Sequence, residues 1–157
     1  MGMDIRNPRL GEYLGISDRL GLTVYLSQQG VDINSLINHY ADAPGLDVIL
    51  GGPIPPNPGE LLTSKKVDDL FAEMRERYDY IIVDSAPVGL VSDSFNLARV
   101  ADATVYVCRV NYTTTADINY AVDISNDNRL PKLSLVINGT KTTRGYGYGY
   151  GRSNTKN

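Results

Sequence analysis

The chain has 157 residues and a formal net charge of −3, and 42% of its residues are hydrophobic while 21% are charged. This composition predicts one globular domain with a sizeable core. The acidic balance argues against a broad basic surface for nucleic acid. The longest apolar runs have the length of strands and no signal-peptide pattern occurs, so we expect a soluble, cytoplasmic chain. Cys108 lies in an apolar run and is interpreted as a core residue, and His39 has no Cys or His at ligand spacing, so no zinc site is predicted.

Helical and strand-sized segments alternate along the chain. Apolar spacing and capping residues predict helices over residues 10–14, 22–29, 32–40, 57–62, 64–77, 93–99 and 115–126, and strands over residues 46–50, 80–83, 103–110 and 133–138. This alternation predicts an α/β fold with a doubly wound, mostly parallel sheet and helices on both faces. The opening residues, MGMDIRNPRL, run into charged residues and proline without a preceding strand, so we expect the chain to begin within a domain.

A Gly-Tyr alternation replaces the apolar pattern in the last segment, TRGYGYGYGRSNTKN. Every second residue there lacks a side chain to bury and loses the most backbone entropy on folding. We therefore expect a domain over residues 1–140 and a flexible tail over residues 141–157.

The apolar run at residues 80–83 ends in Asp84 and is then interrupted by Pro87 and Gly89. It fits a buried parallel strand. Ligands of open α/β sheets bind outside the carboxyl ends of the strands, so Asp84 is expected to face a crevice. Such an acid can hold Mg²⁺ through water beside nucleotide phosphates, or it can cap the following turn. The strand residues alone leave both roles open.

A phosphate-binding loop of the form GxxxxGK[ST] is missing from the sequence. The segment NGTKTT, which begins at Asn138, matches this pattern only in part. Thr140 stands where a glycine is needed, and the Gly-Tyr tail replaces the helix that should follow. The residues therefore predict the acidic half of a nucleotide site without the glycine-rich half.

Four segments, in order, carry a family resemblance. They are DIRNP from Asp4, GPIPPNP with the ELL that follows it, IIVDSAP around Asp84, and the tyrosines Tyr146, Tyr148 and Tyr150. Together they resemble the bacterial tyrosine kinases that accompany capsule and exopolysaccharide export, relatives of the MinD and ParA ATPases. In that family the first and third segments look like the end of the Walker A′ motif and the Walker B motif, and the tyrosines are similar to its C-terminal phosphorylated cluster.

The resemblance implies a P-loop NTPase-like domain that uses ATP and Mg²⁺ to phosphorylate tail tyrosines of a neighbouring subunit. Asp4 and Asp84 would lie at the Mg²⁺ ion, Arg6 near the transferred phosphate, and Asn138 toward the adenine. Arg109 is interpreted as a structural or interface residue. Each phosphotyrosine adds about −1.5 to −2 charges, which should favour dissociation of a ring-like homo-oligomer. Other implied partners are a membrane polysaccharide co-polymerase or adaptor and a tyrosine phosphatase, at the inner face of the plasma membrane.

The chain departs from the family pattern at its beginning. The first Asp of the DxDxR motif, the family's general base, falls at Gly2. The Walker A loop and the arginine-bearing assembly helix are also missing. We therefore expect a truncated domain that binds Mg-ATP poorly and is inactive alone. In this fold the Walker A strand lies beside residues 80–83, so its loss should expose an apolar edge.

Two other functions fit the same residues. One is an ATPase of the MinD or ParA type, which the tail argues against because such ATPases tend to end in amphipathic or basic segments. The other is a non-catalytic interaction module. The missing Walker A loop keeps this second alternative open.

Overall fold

A computed structural model gives the fold and describes residues 1–17 and 20–141. Within them the elements in chain order are α1 (Leu10–Leu14), α2 (Leu22–Ser27), β1 (Ile37–His39), β2 (Asp47–Ile49), α3 (Pro58–Thr63), α4 (Lys65–Arg77), α5 (Asp93–Leu97), β3 (Thr104–Arg109), α6 (Thr115–Asn126) and β4 (Leu133–Asn138). Short 3₁₀ turns at Ile33–Leu36 and Ala98–Val100 complete the regular structure of these ranges. The α/β class predicted from the sequence is confirmed.

The named strands form two separate pairs in the part of the chain that the structure describes. β3 and β4 are parallel, with Arg109 opposite Asn138. β1 and β2 are antiparallel, with Ile37 opposite Ile49. The helix predicted over residues 32–40 is therefore wrong in its second half. One 3₁₀ turn forms there, and the residues that follow it gain more from pairing with β2 than from continuing a helix.

Residues 1–4 take the place of a strand between β2 and the segment that ends at Asp84. Gly2 N–H donates to the carbonyl of Ile49 (2.8 Å), and Met3 N–H donates to the carbonyl of Asp84 (2.7 Å). Gly2 and Asp84 form a parallel bridge. The strand predicted over residues 80–83 is reduced to this bridge, because its other edge has no strand to pair with among the described residues.

The hydrophobic core is built on one face of α4. Its buried side chains are the predicted ones, Val67, Leu70, Phe71 and Met74. Met3 and Ile5, from the first residues of the chain, are completely buried in the same cluster. The core therefore holds the opening residues in place, which in turn positions the acid that lies between Met3 and Ile5. No helix within the described ranges has the length and apolar character needed to cross a bilayer.

Arg75 attaches the second half of the chain to α4. Its Nη2 donates to the carbonyl of Val100 (2.8 Å) and forms an ion pair with Asp102 (2.9 Å). These partners lie just before β3, so the arginine holds the start of that strand against the core. Cys108 of β3 is buried, as predicted.

Large apolar side chains are exposed to solvent on one face of residues 80–83 and of β3. Tyr80 and Ile82 are 89% and 79% exposed, and Val105 and Val107 of β3 are 62% and 60% exposed. Soluble monomers rarely leave such strand surfaces open. The exposed side chains lie on strand faces; the expected unpaired edge is that of residues 80–83, which pair with no named strand among the described residues.

We expect the 157-residue chain to be marginally stable and to self-associate, because open apolar strands pair with other chains. Sedimentation velocity should show association that increases with concentration. Val107→Lys should reduce that association, since it places a charge on the bare face. Ile54→Lys is the control, because Ile54 is 65% exposed but lies on the proline-rich loop. A cooperative melt of a monodisperse wild-type monomer would contradict the expectation.

Candidate functional site

Asp4 and Asp84 lie together at one edge of the sheet. The N–H groups of Met3 and Asp4 both donate to the Asp84 carbonyl, at 2.7 and 3.0 Å. A single backbone oxygen thus joins the ends of the two neighbouring segments. The structure brings together the two acids that the sequence predicted at this edge.

The Asp84 carboxylate lies in surroundings that disfavour its charge. Its pKa is raised above the ordinary value, mainly because the protein removes water from it and also because the Asp4 carboxylate repels it. The Met1 ammonium group acts in the opposite direction. A bound cation would relieve both the desolvation and the repulsion, so the pair suits a divalent ion.

Two carboxylates are enough for Mg²⁺ but not for a metal held by protein alone. The described residues contain no group of three or more His, Cys, Asp or Glu side chains that could hold a metal ion. Mg²⁺ usually keeps several waters and takes one or two carboxylates together with substrate phosphates. The donor set at this edge therefore fits Mg²⁺ accompanied by a phosphorylated ligand.

Asp4, and not Asp84, is the acid that caps a turn. Its Oδ1 accepts the N–H groups of Arg6 (3.2 Å) and Asn7 (3.0 Å). The Asp84 carboxylate accepts no such hydrogen bond within residues 1–17 and 20–141. The turn-capping alternative for Asp84 is therefore not what the structure shows, and its carboxylate is left to interact with Asp4.

Arg6 forms a two-point ion pair with Asp93, the first residue of α5. Nε donates to Oδ2 at 2.6 Å and Nη2 donates to Oδ1 at 3.0 Å. The Asp93 side chain is 2% exposed and that of Arg6 is 41% exposed. The hydrogen bond to Asp93 is the main cause that raises the pKa of Arg6, so the guanidinium stays charged.

The sequence predicted Asp93 only as the start of a helix, and its part in holding Arg6 was missed. The pairing spans 87 positions of the chain, so no local pattern marks it. An acid on the inward side of a short helix is the one signal that pointed to it, because a buried carboxylate needs a charged or hydrogen-bonding partner.

Two serines attach the loop after Asp84 to α5. Ser94 Oγ donates to the carbonyl of Ala86 (2.7 Å) and lies 3.3 Å from Ser85 Oγ. Neither serine was predicted from the sequence to belong to the site. Together with the Arg6–Asp93 pair, these contacts attach α5 both to the turn after Asp4 and to the loop after Asp84. The helix thus holds the two segments that carry the acid pair.

Asn138 lies at the carboxyl end of β4, where its carbonyl accepts the N–H of Val110 (3.0 Å). Within the described residues it makes no hydrogen bond to either Asp4 or Asp84. The structure therefore does not join Asn138 to the acid pair, and its role near the adenine stays a prediction. The predicted phosphoacceptors Tyr146, Tyr148 and Tyr150 lie outside the described residues.

Comparisons with known proteins give a consistent set of relatives, although no protein-family model matches the chain. Tyrosine-protein kinase YwqD of Bacillus subtilis is 31% identical over 153 residues, which cover 96% of this chain and 64% of YwqD. The solved kinase domain of VpsO has a TM-score of 0.79 and 30% identity, covering 89% of this chain and 68% of that one. The solved kinase domain of the Escherichia coli tyrosine kinase ETK has a TM-score of 0.75 and 28% identity, and the match covers 94% of this chain and 58% of that one.

The chain spans only part of these proteins. It covers 18% of tyrosine-protein kinase ptk of Acinetobacter johnsonii and 20% of etk of Escherichia coli K12. The shared fold extends over just over half to two thirds of the solved kinase domains.

Asp84→Asn should stabilise the fold near neutral pH. The raised pKa means that folded Asp84 keeps its proton to a higher pH than the unfolded chain does. Its contribution to the free energy of unfolding is therefore full below the unfolded-state pKa and is lost as the pH rises through the folded-state pKa. Asparagine does not ionise, so the variant should not lose this stability as the pH rises.

Urea midpoints of wild type and Asp84→Asn between about pH 4 and pH 7 would measure the effect. Asp42→Asn makes the same change at an exposed residue and is the control, which should leave the urea midpoint at neutral pH unchanged. Equal midpoints for wild type and Asp84→Asn at neutral pH would show that Asp84 is not destabilising there.

Asp93→Asn should destabilise the fold strongly, because the amide NH₂ group of asparagine would face a donor nitrogen of Arg6 at a position where the side chain is 2% exposed. We expect a fall in melting temperature on the order of 5 °C or more. Asp102→Asn breaks an ion pair whose carboxylate is 83% exposed, and should shift the melting temperature by about 1 °C or less. Thermal melts by circular dichroism would compare them, and equal shifts would contradict a structural role for Asp93.

Proposed function

The chain belongs to the bacterial tyrosine kinases, and we propose that its Asp4–Asp84 edge serves the transfer of the ATP γ-phosphate to tyrosine. The observation that carries the proposal is the pairing of these two acids at the ends of neighbouring segments, where the Asp4 carboxylate adds to the cost of charge on Asp84. Two acids with a purely structural role gain no stability from lying this close together. A site that binds a cation and phosphates needs such a pair, because the cation offsets the repulsion between the carboxylates.

Mg²⁺ would be held by Asp84 and Asp4, in part through water. When bound, the ion would neutralise negative charge on the ATP phosphates. The chain's own contribution is to keep the two carboxylates in place. Asp4 is oriented by the N–H groups of Arg6 and Asn7, and Asp84 by the backbone bonds of its carbonyl.

Arg6 would contribute positive charge near the transferred phosphate. Nε and Nη2 both donate to Asp93, and Nη1 donates to no group among the described residues, so this nitrogen remains to face an anion. The bidentate pair fixes the plane of the guanidinium in advance. Asp93 is therefore a positioning residue, which acts through Arg6.

The general base would not come from this chain as its sequence stands. In the family pattern the base precedes Asp4 by two positions, where this chain has Gly2. That glycine is tightly packed, since a Cβ there would lie 3.3 Å from the Gly51 nitrogen. An acid at position 2 would require a shift of neighbouring backbone. This supports the expectation that the chain alone does not phosphorylate tyrosine.

The acceptors would be the tail tyrosines Tyr146, Tyr148 and Tyr150 of a neighbouring copy. Glycine on both sides of each tyrosine allows the backbone to approach the site closely. Phosphorylation would add charge to the tail and weaken self-association. A relative in Klebsiella pneumoniae is named for a cps region, which supports a link to polysaccharide export. A membrane adaptor and a tyrosine phosphatase would then be the other partners, at the inner face of the plasma membrane.

A non-catalytic interaction module is the second candidate. It is favoured by one observation, the absence of GxxxxGK[ST] from the sequence, because the backbone amides and the lysine of that loop are the usual hold on ATP phosphates. Tight Mg²⁺-dependent binding of ATP by the lone chain would exclude this alternative.

Phosphate on the tail is the decisive test of the kinase proposal. Trypsin cleaves after Arg144 and Arg152 and releases GYGYGYGR, which carries all three tail tyrosines. In protein recovered from its native host, mass analysis should find phosphate on this peptide, removable by a tyrosine phosphatase. Replacing all three tyrosines with phenylalanine should abolish the modified peptide. An unmodified peptide under capsule-producing conditions would favour the non-catalytic module.

A further inference from the structure

β4 ends in a dipeptide with a chemistry of its own. Asn138 is the last residue of the strand, and Gly139 follows it. In the 157-residue sequence, no other asparagine precedes a glycine. Asparagine is a thermally labile residue, because the backbone nitrogen of the next residue can attack its side-chain amide. Glycine hinders that attack least, since it has no Cβ.

The Asn138 side chain is free to react. It is exposed at the end of β4, and its amide group makes no hydrogen bond within the described ranges. The residue is held only through its backbone, whose carbonyl accepts the N–H of Val110 at 3.0 Å and whose neighbours continue the strand. The side-chain amide can therefore rotate toward the main chain that follows it.

The attacking nitrogen is equally accessible. The N–H of Gly139 donates to no group in the part of the chain that the structure describes. Gly139 has a φ of +76°, in the left-handed region. A Cβ added there would meet no heavy atom of the described residues within 4 Å. The nitrogen thus has neither a hydrogen bond nor a packed neighbour to protect it.

We propose that Asn138 is a site of spontaneous deamidation through a cyclic imide formed with Gly139. The Gly139 nitrogen forms a bond to Cγ of Asn138, and the side-chain nitrogen leaves as ammonia with the proton that the Gly139 nitrogen loses. Water then adds to one of the two carbonyl carbons of the imide and opens the ring. Opening at one carbonyl gives aspartate, and opening at the other gives isoaspartate. Both products carry a carboxylate where asparagine is neutral.

The new charge would have a partner on the neighbouring strand. Arg109 lies opposite Asn138 in the parallel pair, so the two side chains project to the same face from strands about 4.8 Å apart. Arg109 forms no ion pair among the described residues, and its guanidinium lies 5.9 Å from the centre of the Tyr112 ring. A carboxylate at position 138 would offer this guanidinium a counter-ion. The aspartate product should therefore be tolerated by the fold.

Peptide mapping of the full 157-residue chain tests the proposal. Trypsin cleaves after Lys132 and Lys141 and releases LSLVINGTK, in which the single asparagine is Asn138. After incubation of the folded chain in mildly alkaline buffer, we expect two additional forms of this peptide, each heavier by the exchange of an amide for an acid. The same peptide, made synthetically and incubated alongside, gives the unprotected rate.

The folded chain should react at no less than about a tenth of the rate of the free peptide, because the end of a strand opens locally at little cost in free energy. An unmodified Asn138 in the folded chain, at a time when the free peptide is fully converted, would overturn the proposal. The reaction requires neither ATP nor a kinase, so its outcome is separate from the test of tail phosphorylation.

Asn138→Gln should remove the modified forms, since the longer side chain would have to close a larger ring. Asn119→Gln is the matched control. Asn119 is exposed on α6 and precedes a tyrosine, so this change should leave the conversion of Asn138 unaltered. Equal conversion in Asn138→Gln and wild type would contradict the assignment of the site.

The variant Asn138→Asp tests where the product lies. Its new carboxylate should have a lower pKa with Arg109 present than after the further change Arg109→Gln, because the guanidinium favours the charged form. Both positions are exposed, so neither change should unfold the chain. A titration followed by NMR measures the two pKa values, and equal values would contradict the ion pair.

Discussion

The placement of residues 1–4 between β2 and Asp84 is the constraint on which the rest of the structure depends. Gly2 bonds to Ile49 on one side, and Met3 bonds to Asp84 on the other. Met3 is also completely buried, so the hydrophobic core and the backbone ladder select the same position. Without this insertion, the two acids would lie on segments that share no backbone hydrogen bond, and none would join the antiparallel hairpin to the segment that ends at Asp84.

Elements set by local pattern could be predicted from the sequence, and elements set by distant pairing could not. α6 has the predicted bounds, and its start is secured by a capping box between Thr114 and Asp117. The apolar face of α4 followed equally from its spacing. β1 was assigned to a helix because its partner lies ten residues further along the chain and no nearby residue indicates the pairing.

The candidate site divides in the same way. Asp84 could be placed at the edge of the sheet because it ends an apolar run, whereas Asp4 was placed beside it only through the resemblance of DIRNP to the family's Walker A′ motif. The support of that edge by α5 could not, since Asp93 and Ser94 are polar residues whose partners are far away in sequence. Tight packing around Gly2 was likewise hidden, because only the folded chain places the Gly51 backbone against it.

The Arg6–Asp93 pair places a joint restriction on how this chain can diverge. A neutral residue at position 6 leaves the Asp93 carboxylate without a counter-ion, and Asp93 is too buried for water to replace the partner. A neutral residue at position 93 leaves Arg6 with only the weaker attraction of Asp4. Single substitutions at these two positions are therefore selected against, whereas a matched exchange of both can survive. Across related chains, the identities of the residues at positions 6 and 93 should covary.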